Sequence, residues 1–157
     1  MATTEVLLLA ETNLLLHKPI AAIRQYTTQS VPASTWTPIA MQVTITDTYG
    51  GWSIAAPTRY VALIPGWYDI SGVVCWSNAQ TTGFRTTVLA VNGNRIPGSL
   101  QDSAASGDWP TVASKPVQVY LAVGDYVEVH GWTSVASSTA TANLDLDSRL
   151  DVIWAHA

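Results

Sequence analysis

Charge is what this chain has least of. Only 11% of its 157 residues are Asp, Glu, Lys or Arg, against roughly a quarter in ordinary soluble domains. The cations are Lys18, Lys115 and five scattered Arg (Arg24, Arg59, Arg85, Arg95, Arg149), and the net charge is -4. Neutralising phosphates needs clustered Lys and Arg, so no nucleic-acid-binding face is expected. Cysteine is nearly absent too. The single Cys75, in "GVVCWS", reads as a small buried thiol, so there is no disulfide framework and the redox compartment is not set.

Catalytic signatures are also missing. The chain holds no nucleophile elbow, phosphate loop, zinc-binding His pair or Cys pair. His17, His130 and His156 have no spacing that nominates a site. The expectation is therefore no enzyme and no cofactor. No heptad, collagen-like period or internal repeat is visible either, so the chain carries no stalk of its own.

What is abundant is apolar and aromatic: 48% hydrophobic residues, including seven Trp. A surface so poor in charge suits burial against other subunits better than life as a free monomer. One domain with a full core is expected from this length, together with an arm. The arm is assigned to residues 1–30, where "EVLLLAETNLLL" supplies Leu7, Leu8, Leu9, Leu14, Leu15 and Leu16. Glu5 and Glu11 interrupt the apolar run and no basic n-region precedes it, so neither export nor membrane spanning is predicted. The segment is either a short helix starting near Thr3 or Thr4 or an extended ribbon. It either docks onto a partner or closes the bottom of its own domain.

Residues 31–157 read as short alternating runs broken by turn residues, the pattern of an all-β sandwich or barrel of about eight to ten antiparallel strands. "TWTPIAMQVTIT" puts Met41, Val43 and Ile45 on one face. "YVALIPGWYDISGVVCW" reads as two strands joined by a tight turn at Pro65-Gly66, with Tyr68, Ile70, Val74 and Trp76 alternating against Asp69, Ser71 and Cys75. Asn92-Gly93 between apolar runs is the strongest hairpin signal. "KPVQVYLAVGDYVEVHGW" reads as a second hairpin, turning at Gly124-Asp125, with Val117, Val119 and Leu121 before the turn and Val127 and Val129 after it. Residues 99–110 read as an exposed loop. Leu144, Leu146, Leu150, Val152 and Trp154 close the sheet in period two.

The order of "IPGWYDISGVV", "VQVYLAVGDYVEV" and "DLDSRLDVIW" resembles the trimeric jelly-roll fold shared by the complement globular head and the tumour necrosis factor superfamily. The matching positions are Pro65, Gly66 and Tyr68, then Gly124 and Asp125, then Ser148 to Trp154. The resemblance implies a jelly-roll sandwich assembled as a homotrimer, with the aromatic strand in an inner sheet between the core and the trimer. Animal members bring a collagen stalk, a membrane anchor or disulfides, which this sequence lacks. Its Thr-rich, Lys-poor body is similar in style to the β modules of tailed-bacteriophage virions.

Two further features carry chemistry. Asp145, Asp147 and Asp151 would share one face of a strand and could gather a calcium ion; alternatively they form a solvated face neutralised by Arg149. Trp52 and Trp109 are either exposed platforms for sugar rings or interface and core residues. The functional expectation is a trimeric capsid decoration or cementing protein on the capsid surface of a virion. It would dock to the major capsid protein or another virion protein through its arm, without contact with nucleic acid or membrane. The alternative is a receptor-binding or tail-fibre tip module that recognises host surface glycans, and a secreted complement-like ligand comes third.

Overall fold

The computed structural model describes residues 12–14, 16–77, 82–104, 111–139 and 147–157. The strands are β1 (Ile20–Arg24), β2 (Ser30–Val31), β3 (Thr37–Pro38), β4 (Val43–Asp47), β5 (Arg59–Val61), β6 (Gly66–Cys75), β7 (Phe84–Val91), β8 (Asn94–Arg95), β9 (Gln101–Ala104), β10 (Thr111–Ala113), β11 (Val117–Leu121), β12 (Tyr126–Thr133), β13 (Ser137–Ser138) and β14 (Arg149–His156). Two sheets face each other in a jelly-roll sandwich. In the first, β10 and β11 both flank β6, followed by β14, β1 and β4. In the second, β3 and β5 flank β12, followed by β7 and then β8 and β9.

Period-two patterning builds the core as expected. Along β6 the inward positions Tyr68, Ile70 and Val74 are buried, with Gly72 between them against Val129 and Leu89. Leu150, Val152 and Trp154 do the same along β14. From the other sheet come Leu89, Val127 and Val129. At one end Arg85 is fully buried, its guanidinium 5.8 Å from the Trp76 ring. Burial pulls that guanidinium below its ordinary pKa.

The turns differ from the sequence expectation. Asn92-Gly93 is a true two-residue hairpin, with φ of 52° and 76° and Val91 paired to Asn94, the primed geometry that matches strand twist. The other two turns pair nothing with their own neighbours. Pro65-Gly66 connects β5, which pairs with β12, to β6 in the opposite sheet. Gly124-Asp125 connects β11, paired to β6, to β12. Both are corners that carry the chain from sheet to sheet, and a corner needs the same turn residues as a hairpin.

The domain also begins earlier than residue 31. Ile20–Arg24 lies between β14 and β4, with Ala21 and Ile23 in the core. Any arm therefore precedes Ile20. Within it, Thr12–Leu14 and Leu16 are helical; Leu14 packs on the core, whereas Leu16 is 73% exposed. Leu7, Leu8, Leu9 and Leu15 lie outside the described residues. On the edge strand β4, Ile45 is exposed rather than facing inward with Met41. Part of the expected 99–110 loop is strand: β9 pairs with β7.

Candidate functional site

Each sheet turns one face away from the core, and the two faces differ in chemistry. On the first sheet the outward parity of β6 presents Trp67, Asp69, Ser71 and Val73. β11 adds Tyr120 beside Trp67 and Gln118 beside Asp69; β14 adds Ile153, Asp151 and Arg149; β1 adds Ile20. Trp67 and Tyr120 meet edge to face with centroids 5.9 Å apart, and the His156 ring lies 6.1 Å from Trp67. All three remain exposed, as does Ile153. Beside them a groove of about 270 Å³ is lined by Asp69, Ser71, Val117, Gln118, Asp151 and Ile153.

Polar groups on this face are partnered locally. Arg149 pairs with Asp151 at 2.7 Å, Gln118 donates to Asp69 at 3.0 Å, and Arg24 pairs with Asp147. Of the three candidate calcium carboxylates, the two described ones are each held by an arginine. Asp147 precedes β14 and is committed to Arg24, Asp151 is held by Arg149, and Asp145 lies outside the described residues. Among the described residues no group of three metal-ligating side chains converges.

The residues of the family-like motif do converge, at one end of the sandwich. Tyr68 donates its hydroxyl to the Ile64 carbonyl at 2.6 Å, and burial pushes its pKa up to about 12. Trp154 donates to the Pro65 carbonyl. The Gly124 amide donates to the Ala62 carbonyl, and Ala62 donates in turn to the Asp125 carbonyl. The Asp125 carboxylate accepts from Asn92 and from the Ala122 amide, bonds that hold it below the usual carboxylate range. These residues lock the corners where the chain changes sheets.

The outward face of the second sheet carries a stripe that escaped the sequence reading. Opposite in parity to the buried Val127 and Val129, strand β12 presents Tyr126, Glu128, His130 and Trp132. Glu128 and His130 are each 7% exposed. His130 Nε2 lies 2.9 Å from Glu128 Oε2, while Thr58 Oγ1 donates to Glu128 Oε1 at 2.9 Å. Burial works against the Glu128 carboxylate, yet His130, Thr58 and the nearby Arg59 together hold its pKa below the usual value. The carboxylate sits in the middle of this group, and the Thr58 hydroxyl donates to it rather than to the His130 imidazole. Above the pair, Arg59 lies 4.9 Å from the Tyr126 ring centroid and Arg95 lies 4.6 Å from that of Trp36, itself 6.1 Å from Trp132.

Of the two proposed sugar platforms, Trp52 is half-buried, packs against the core and donates to the Pro57 carbonyl at 3.3 Å, and Trp109 lies outside the described residues. Cys75 is fully buried and burial raises its thiol pKa. No described helix is long and apolar enough to cross a membrane.

No protein-family model matches the chain, and no curated protein sequence matches it. Solved structures do match. The globular domain of zebrafish complement 1qA protein aligns with a TM-score of 0.64 and 13% identity, covering 88% of this chain and 98% of that one. Murine APRIL at pH 5.0 gives a TM-score of 0.65 and 13% identity, covering 87% and 98%. The PRD1 vertex protein P5 gives a TM-score of 0.62 and 13% identity, covering 87% and 96%. Likeness at such identity concerns the fold, which is the jelly roll of complement heads and tumour-necrosis-factor-like proteins.

Proposed function

We propose that this chain is a non-enzymatic virion structural protein, a homotrimer that decorates and cements a capsid. The observation that carries the reading is the exposed face of the first sheet. Trp67, Tyr120 and Ile153 lie in neighbouring strands beside charges of which Asp151 is paired with Arg149 and Asp69 is hydrogen-bonded by Gln118, a composition that suits a protein interface better than water. The family resemblance implies that such a face is closed by trimer formation. The virion reading is supported by the shared fold of a vertex protein. Docking to the major capsid protein or another virion protein falls to the segment before Ile20. Its Leu14 packs against the domain core, and the docking role is assigned to Leu7, Leu8, Leu9, Leu15 and the exposed Leu16. Four Leu side chains buried on docking would contribute about 6 to 12 kcal/mol before ordering costs, and three arms per trimer would add multivalency.

The test removes residues 1–11 only, because a deletion reaching residue 25 would take β1 out of the sheet. The shortened protein is expected to sediment as a folded trimer that no longer adds to preformed shells. The intact protein is expected to add to them and raise their resistance to heat. An intact protein that sediments as a monomer, or that leaves shells unchanged, refutes the reading.

A further inference from the structure

The outward face of the second sheet carries a feature that cementing a shell does not require. Arg95 stands on β8 at one flank of the sheet, opposite Ala90 of β7. Its guanidinium lies over Trp36, next to β3 at the other flank. Between the two flanks lie Val88, 2% exposed, and His130, whose buried Nδ1 has no hydrogen-bond partner. Among the described residues Arg95 takes part in no ion pair. Next to it opens a groove of about 590 Å³, lined by Val88, Gly93, Asn94, Arg95, Pro97 and Leu100.

We infer that this face is a binding site for a carboxylate-bearing saccharide, held by the Arg95 guanidinium that stacks on Trp36, by the Asn94 amide and by the indole of Trp132. Four observations select that class. First, β7 and β12, which form the middle of this face, have strands on both sides, so their backbone groups are spent and a ligand lying across them cannot be held by strand addition, which only an outer edge such as that of β8 allows. Recognition therefore falls to side chains. Second, Trp132 is only half-buried and tilted at 38° to Trp36, whose ring carries the Arg95 guanidinium, so Trp132 is the indole that offers ring surface to the C–H face of a pyranose, attracted by the negative face of the ring. Third, stacking on Trp36 holds the Arg95 fork in place before a ligand arrives, and that planar fork matches a carboxylate with two parallel hydrogen bonds. Fourth, the face carries two arginines and no lysine, and the charge of Arg59 is offset by the Glu128 carboxylate it faces, which leaves the Arg95 fork for a ligand, a balance that fits a single negative charge and disfavours a sulfate or phosphate dianion. The groove volume lies in the range of roughly 300–1,000 Å³ that accepts a ligand of a few rings.

The experiment titrates the full chain with sialyllactose, lactose and inorganic sulfate, reading saturation-transfer NMR and tryptophan fluorescence. Sialyllactose is expected to bind, with lactose and sulfate at least about tenfold weaker. Arg95→Ala is expected to lower sialyllactose affinity by about tenfold or more, and Arg95→Lys, which keeps the charge and the apolar stem but loses the fork, by a smaller factor. Unchanged melting temperatures for the two variants establish that the loss is local. Failure of sialyllactose to bind at millimolar concentration overturns the inference. So does lactose or sulfate binding equally well, or affinity that neither Arg95 substitution alters.

Discussion

The indole N–H of Trp154 donates to the Pro65 carbonyl at 3.3 Å across a space that exists because Gly66 has no side chain. A Cβ on Gly66 would collide with that indole nitrogen and lie 2.6 Å from the His156 carbonyl oxygen, and its φ of +149° already disfavours any other residue. Gly66→Ala is therefore expected to destabilise the domain by about 3 kcal/mol or more. Gly124 has a φ of +92° but open space around it. Gly124→Ala should cost only about 1 kcal/mol of backbone strain. Urea denaturation of both variants checks the order, and equal midpoints would mean that the Trp154 corner is not what Gly66 serves.

Acid should weaken the protein through Glu128. Its carboxyl pKa is lowered in the folded state, by His130, Thr58 and Arg59 acting against burial. The stability it contributes is therefore complete above the unfolded carboxylate value of about 4.3 and is lost as pH falls through the lower folded value. Glu128→Gln should flatten the decline of melting temperature below about pH 4. An acid limb of unchanged slope would place the titrating group elsewhere.

Alkali acts through the tyrosines. Burial raises the pKa of Tyr60 strongly and that of Tyr68 to about 12. A raised phenol pKa contributes stability that is complete below the unfolded value of about 10 and is lost as pH rises through the folded one. Spectrophotometric titration should show these two phenols ionising only with unfolding. Ionisation of all six tyrosines in one early reversible step would contradict the packing described.

Ile153 tests the exposed sheet. It points away from the core at 37% exposure, so Ile153→Asp should leave the fold intact. In the proposed trimer it would place an unpaired charge beside Asp69 within the contact. Sedimentation equilibrium should then report one third of the parental mass with an unchanged circular dichroism spectrum. A variant that retains the parental mass would remove this face from the interface.

Much of the sandwich was legible because burial on one side of a strand writes a period of two. Tyr68, Ile70 and Val74, and later Leu150, Val152 and Trp154, are buried as their alternation implied. What alternation does not encode is the partner of a strand, since Gly124-Asp125 would look the same at a hairpin or at a corner. β1 escaped for another reason. Its Ala21 and Ala22 are both buried although they point to opposite faces, so no alternation shows in "IAAIR". The stripe Tyr126, Glu128, His130 and Trp132 was present at strict spacing, but Val127 and Val129 draw attention to the other parity. Trp36 and Arg95, far apart in sequence, meet only because β3 and β8 flank the same pair of strands.

The position of β14 sets the timing of folding. It lies between β1 and β6, joined to both along most of its length, so the middle strand of the first sheet is made after both of its neighbours. No nascent chain can close that sheet until residues 149–156 have left the ribosome. Until then β1 and β6 expose unpaired edges and apolar side chains to every other chain nearby. Pairing across so long a stretch of sequence is slow, and the fresh chain is most prone to aggregation during that interval. A chain that stops before Arg149 would leave β1 and β6 without the strand that joins them.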